Sequence, residues 1–177
     1  MGLNTFKAAS IFAASMVFCM PIMAQAKNAP STWEFVQKAS QANQFEIDSS
    51  KLALQKTSAQ NVKDFAQMMV TDHMQIGDSM KEALASSGTD FKPAKDLSPE
   101  DKKTMDALTA APASNFDNLY VQAQTQAHDE AVKMFTNYAD NGDNDSMKRF
   151  ASDALPILKK HQDEAHSLSQ GFMSSSK

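Results

Sequence analysis

Four stretches of this chain place apolar residues three or four positions apart, and that spacing constrains the fold more than any other feature. The first stripe is Phe35, Ala39, Ala42, Glu46, Ser50 and Ala53, and the second is Val62, Phe65, Ala66, Met69, His73, Ile76, Met80 and Leu84. The third is Phe116, Tyr120, Ala123, Ala127, Ala131, Met134 and Tyr138, and the fourth is Met147, Phe150, Ala151, Ala154, Leu158, His161, Ala165 and Leu168. Side chains at this spacing share one face of an α-helix. A helix with one apolar face must bury it against another element. Four such helices bury theirs against one another, which predicts an all-α four-helix bundle.

Local signals set the boundaries. Ser31 followed by Glu34 is a capping-box pattern and opens the first helix. Thr57-Ser58 marks a tight turn, with Ser58 as the expected N-cap of a second helix from about 59 to about 86. Gly88 fits its stop. The connection over 88–114 holds Pro93, Pro99 and Pro112, and within it Ser98-Pro99-Glu100-Asp101 reads as a helix start: cap, proline in the first turn, then acids. Met105 and Leu108 give that short helix something to bury. A connection this long, carrying its own helix, is a crossover rather than a hairpin turn. The third helix is expected over roughly 115–140 and the fourth over roughly 145–170. Between them Asn141-Gly142-Asp143-Asn144-Asp145 reads as a turn; it lacks the 12-residue pattern and terminal Glu of a calcium loop. Pro156 falls inside the fourth helix and is expected to kink it, and the Ser-rich tail from Gly171 is expected to fray.

Each predicted helix also carries one residue able to hold a metal: Glu46, His73, His128 and His161. Three sit mid-stripe, where Leu or Ala is usual. His128 lies at the margin, about 100° around the axis from Ala127, on the shoulder with Gln124 and Phe135. Buried polar residues need partners, so the alternatives are a metal centre and a satisfied polar network. In an antiparallel pair, Glu46 and His73 fall out of level by about one helical turn. Asp72 and Asp48 are candidate hydrogen-bond partners for His73, and Met69, on the same face, would favour Cu(I) if it were a ligand. His166 is one step off the stripe and reads as a surface residue.

The N-terminus reads as an export signal: Lys7, an apolar run over 8–20 too short for the ~20 residues a bilayer span needs, then Ala24-Gln25-Ala26 as a cleavage pattern. Bulky Phe18 before Cys19 argues against a lipoprotein site. Cleavage after Ala26 leaves 27–177 as a single exported, periplasmic or envelope domain without a transmembrane segment. It also removes Cys19, the one cysteine, so disulfides, thiolate zinc sites and thiol catalysis are excluded from the mature chain. With Lys7 gone, 16 bases face 21 acids, and no basic block exists, which argues against nucleic acid as a partner.

Phe35-Val36, NQFEI (43–47), VKDFAQMMVTDH (62–73), Phe116-Asp117 with Tyr120 and His128, and FASDALPILKKH (150–161) resemble the DUF4142 domain family of exported bacterial proteins. The resemblance spans essentially the whole mature chain. It implies a ferritin-like four-helix bundle in the periplasm or envelope and no settled activity. Ferritin-like di-iron proteins carry Glu-x-x-His on two helices. Here Val70 and Leu158 stand three residues before His73 and His161, and His128 replaces a third-helix carboxylate. One carboxylate and three imidazoles suit a single transition-metal ion, Zn, Cu or Fe, better than a bridged di-iron pair. The alternative function is a structural or stress-related envelope protein that binds a protein partner and holds no metal. No Ser-His-Asp framework, G-x-S-x-G, phosphate loop or His-Glu-x-x-His supports a hydrolase.

Overall fold

The computed structural model describes residues 1, 2 and 31–175, so the expected export signal and its cleavage point lie outside the described residues. The described chain forms α1 (Thr32–Lys56), α2 (Gln60–Ser86), a short α3 (Pro99–Ala110), α4 (Ala113–Asn141) and α5 (Asp145–Ser175). No strand occurs among the described residues, and none of their helices is long and apolar enough to cross a membrane.

The ends of these helices follow the local chemistry. Ser31 and Glu34 form the full capping box. Ser98 Oγ accepts from Asp101 N at 3.0 Å, with Pro99 in the first turn of α3. Gly88 takes φ 72°, the left-handed conformation that ends α2. Gly142 is required by space: a Cβ there would sit 2.6 Å from the Tyr138 carbonyl oxygen. Ser58 does not cap α2. Ala59 holds that position without a side-chain bond, and Thr57 Oγ1 instead accepts from Ala59 N at 3.0 Å. The tail does not fray at Gly171. Leu168 and Phe172 continue the apolar face and pack on the core, which carries α5 on to Ser175. Pro156 lies on an exposed face and α5 remains one helix through it.

Two apolar clusters sit at opposite ends of the bundle. The upper one joins Phe35, Val36 and Ala39 at the start of α1, Ile76, Met80 and Leu84 late in α2, Phe135 and Tyr138 late in α4, and Met147, Phe150 and Leu158 in the first half of α5. The lower one joins Phe45 and Ala53, Val62, Phe65 and Met69, Phe116, Tyr120 and Val121, and Ala165. Hence α1 and α5 run one way while α2 and α4 run the other. The next long helix, α4, starts at the end of the bundle opposite to where α2 finishes, which is why the connection is long. It travels beside α1: Gln37 Nε2 donates to Lys92 O at 2.8 Å, Ala94 N to Ser40 Oγ at 2.8 Å, and Lys56 Nζ reaches the carbonyl oxygens of Leu108, Thr109 and Ala111 at 2.7–3.1 Å. The crossover and bundle match the architecture expected from the sequence.

Candidate metal centre

Between the clusters, all four long helices turn polar at one level. His73 lies between Met69 and Ile76, His128 between Val121 and Phe135, and His161 between Leu158 and Ala165, each flanking residue belonging to one cluster or the other. The three rings form a near-equilateral triangle, with centroids 5.3, 5.5 and 5.6 Å apart. One nitrogen from each ring lies within 4.8 Å of the others. His73 is 3 % exposed and the other two are fully buried.

Each ring is held by one nitrogen and bare at the other. His73 Nδ1 lies 3.0 Å from Asn43 Oδ1, His128 Nδ1 lies 2.9 Å from the Gln124 carbonyl oxygen, and His161 Nε2 lies 2.9 Å from Asp72 Oδ2. All three partners are acceptors, so these nitrogens carry the ring protons. The remaining nitrogens, Nε2 of His73, Nε2 of His128 and Nδ1 of His161, are buried with no hydrogen-bond partner. Each therefore presents an unprotonated lone pair.

Burial keeps the rings neutral. It holds His73 well below the usual imidazole range, with His128 and His161 pushing the same way. It lowers His128 to about 4 against the opposing Gln124 bond, and it lowers His161 against the pull of Asp72. Neutral imidazole is the form that binds metal.

Glu46 stands apart from this trio. It is 3 % exposed, and its carboxyl approaches His128 at Nδ1, 3.9 Å away, the nitrogen already committed to Gln124. Its Oε2 has no partner. Burial raises its pKa well above the usual carboxylate range, while Gln124 beside it works the other way. Ser50 bonds Tyr120 Oη at 2.8 Å, and Gln124 Nε2 donates to Ser49 Oγ at 3.0 Å. Thus the structure brings His73, His128 and His161 together and sets Glu46 beside them, behind the His128 ring.

Asn43, which the sequence reading passed over, is the α1 residue level with His73. It precedes Glu46 by one turn, the same offset found between Glu46 and His73. Gly77 leaves room for it: a Cβ there would lie 3.1 Å from Asn43 Nδ2. Asp72 serves His161 rather than the adjacent His73, and Asp48 accepts from Gln44 instead. Met69 is buried in the lower cluster, while Met74 is 54 % exposed. His166 is exposed as expected and lies 2.9 Å from Asp129 Oδ1.

The buried stripe of α4 differs from the expected one. It runs Phe116, Tyr120, Gln124, His128, Phe135 and Tyr138, so His128 is central to the face and not at its margin. Ala123, Ala127 and Met134 pack only at the core's edge and line a groove beside Phe45 of α1.

A four-coordinate ion at ~2.0–2.1 Å from imidazole nitrogen needs donors roughly 3.4 Å apart. Three donors within 4.8 Å reach that spacing by a contraction on the order of 1 Å, so the residues present fit a single ion.

The fold recurs in solved structures. CopM in its Cu(II)-bound form aligns with a TM-score of 0.69 at 21 % identity, covering 82 % of this chain and 99 % of that one. CopM in its Ag-bound form aligns at 0.64 and 22 % identity, covering 80 % and 97 %. A DUF305 fragment from Deinococcus radiodurans aligns at 0.64 and 17 % identity, covering 77 % and 93 %. No curated protein matches the chain in sequence. The family model for the domain of unknown function DUF4142 matches residues 18–168, and the chain belongs to that family.

Proposed function

We propose that this protein binds one transition-metal ion at the middle of its bundle, through His73, His128 and His161, and acts as an exported metal-holding protein. The observation that carries the reading is the set of three buried imidazoles on three helices, each with one bare ring nitrogen and with one nitrogen of each ring within 4.8 Å of the others. Leaving a buried polar atom unpaired costs about 1–3 kcal/mol, and three in one place call for a common partner. A purely structural polar network would pair its members with one another; here the second nitrogen of every ring has none.

Copper is the first ion to test. Imidazole suits copper, zinc and iron alike, but solved proteins of this fold include CopM with Cu(II), Cu(I) and silver bound. Glu46 would supply negative charge beside the centre without entering the trio. Bound there, the ion would be a cargo or a redox centre shielded from solvent. The residues of this chain hold it, orient the rings and exclude water. The N-terminal signal pattern supports placing this activity outside the cytoplasm.

The test is metal content, by mass spectrometry, of untagged residues 27–177 purified from the periplasm. About one ion per chain is expected, with none in His128→Leu. A protein that arrives empty and takes up no added Cu, Zn or Fe overturns the reading.

A further inference from the structure

The three histidines do not enter the centre in the same sense. His73 and His128 are held by Nδ1, and their bare nitrogen is Nε2; His161 is held by Nε2, and its bare nitrogen is Nδ1. The reversal traces to one side chain. Asp72, on α2, reaches across to α5 and accepts from the tip of the His161 ring at 2.9 Å.

We propose that Asp72 is a positioning residue that turns the Nδ1 of His161 into the centre, so that a metal there is taken by the Nε2 of His73, the Nε2 of His128 and the Nδ1 of His161. The ligand assignment rests on the metal-site reading above; the tautomer it requires does not.

The chemistry of the partners supports an unequal trio. Gln124 offers His128 a backbone carbonyl and Asn43 offers His73 an amide oxygen, both neutral. Asp72 offers His161 a carboxylate. A carboxylate behind a ligating imidazole fixes its tautomer and makes it a stronger donor, and removing such a partner typically weakens metal binding ~10–100-fold. Two of the partners leave little freedom. The Gln124 carbonyl belongs to the turn of α4 just before His128, and Asn43 is confined beside Gly77. The Asp72 side chain is 27 % exposed, so it can be changed without opening a core cavity.

The experiment is long-range proton–nitrogen NMR of the histidine rings in uniformly ¹⁵N-labelled, untagged 27–177. It is recorded first without metal and then with Zn(II), a diamagnetic probe. Without metal, Nδ1–H is expected on His73 and His128 and Nε2–H on His161. Asp72→Ala should erase the Nε2–H preference of His161 alone and weaken Zn(II) binding ~10–100-fold. Asp72→Asn keeps an acceptor oxygen and should restore the tautomer while recovering only part of the affinity. A merely structural Asp72 would leave the His161 tautomer unmoved, and circular dichroism confirms that each variant is folded. Finding Nδ1–H on His161 in the metal-free protein, an unchanged His161 tautomer in Asp72→Ala, or a Zn(II) shift on its Nε2 overturns the proposal. A protein that binds no Zn(II), Cu or Fe overturns the ligand assignment and the metal reading together, while the metal-free spectrum still decides what Asp72 does.

Discussion

The ends of this bundle and its middle solve the problem of burial in opposite ways. At the upper end, Phe35 stacks on Tyr138 with centroids 3.9 Å apart and meets Phe135 edge-on at 5.0 Å, and the Tyr138 hydroxyl bonds Thr32 Oγ1 at 2.6 Å. At the lower end, the Tyr120 hydroxyl is paired with Ser50. Both tyrosine hydroxyls that enter the ends are satisfied there, and the exception is one oxygen of half-buried Asp117 at the lower end. In the middle, His73, His128, His161, Glu46 and Gln124 each keep a buried polar atom without a partner. The ends bury apolar surface around paired hydroxyls, whereas the middle leaves buried polar atoms unpaired at a cost in stability.

The sharpest way to break this comparison is to truncate each region and compare signs. Phe35→Ala should cost about 3–5 kcal/mol in urea unfolding and leave metal stoichiometry unchanged. His128→Leu, similar in volume, should instead stabilise the metal-free protein by about 1–3 kcal/mol, because an unpaired buried nitrogen disappears. Destabilisation of the metal-free protein by His128→Leu comparable to Phe35→Ala would mean that the middle is an ordinary satisfied core.

The second effect is metal-dependent. A ligand present at 100 times its Kd stabilises the folded state by about 2.7 kcal/mol. Copper or zinc added to the wild-type protein should raise Tm accordingly. Phe35→Ala should show the same increment from a lower baseline, and His128→Leu should show none. Equal shifts in all three proteins would place binding elsewhere.

This contrast also explains what was legible in the sequence. The four helices, the crossover with its short helix, and the capping of α1 and α3 follow from local chemistry that does not depend on tertiary context. The face of α4 was misplaced because hydropathy locates a buried stripe by its apolar residues. On α4 the central buried positions are Gln124 and His128, while Ala123, Ala127 and Ala131 mark the shoulder. Polar residues at the centre of a buried face erase the apolar signal used to find it. Three of the four residues singled out as metal-capable come together. Asn43 was missed because a lone Asn carries no spacing signal. The one-turn offset between Glu46 and His73 pointed at it, since the residue one turn before Glu46 is Asn43. Asp72 was recognised as a partner but paired with its neighbour in sequence, and only the packing of α2 on α5 aims it at His161.

A third prediction concerns pH in the metal-free protein. Glu46 has its folded pKa raised, so between the ordinary value of 4.5 and that folded value the native state binds more protons than the unfolded chain, and stability falls as pH rises. The histidines have theirs lowered, so below 6.5 the unfolded chain binds more protons and stability falls as pH drops, down through the His128 value of about 4. Glu46→Gln should therefore match the wild type near pH 4 and become the more stable protein as pH rises toward 8. His128→Leu should soften the loss on the acid side. Parallel stability–pH curves for wild type and Glu46→Gln would mean that Glu46 is solvated, and the contrast between middle and ends would lose its electrostatic half.

The smallest expected effect tests whether the ends depend on the crossover. Lys56 donates to the carbonyl oxygens of Leu108, Thr109 and Ala111 at the end of α3, and its ammonium lies 5.1 Å from the centre of the Phe116 ring. Carbonyls at a helix C-terminus lack intrahelical partners, and a cation there satisfies them and complements the helix dipole. Lys56→Met keeps most of the stem and removes the charge. It should cost about 1 kcal/mol and raise amide exchange in α3 and the first turn of α4, with the donor set untouched and metal affinity unchanged. A loss of metal binding in Lys56→Met would show that the lower end and the middle are coupled through α4, on which Phe116 and His128 both lie, and that the two regions do not act independently.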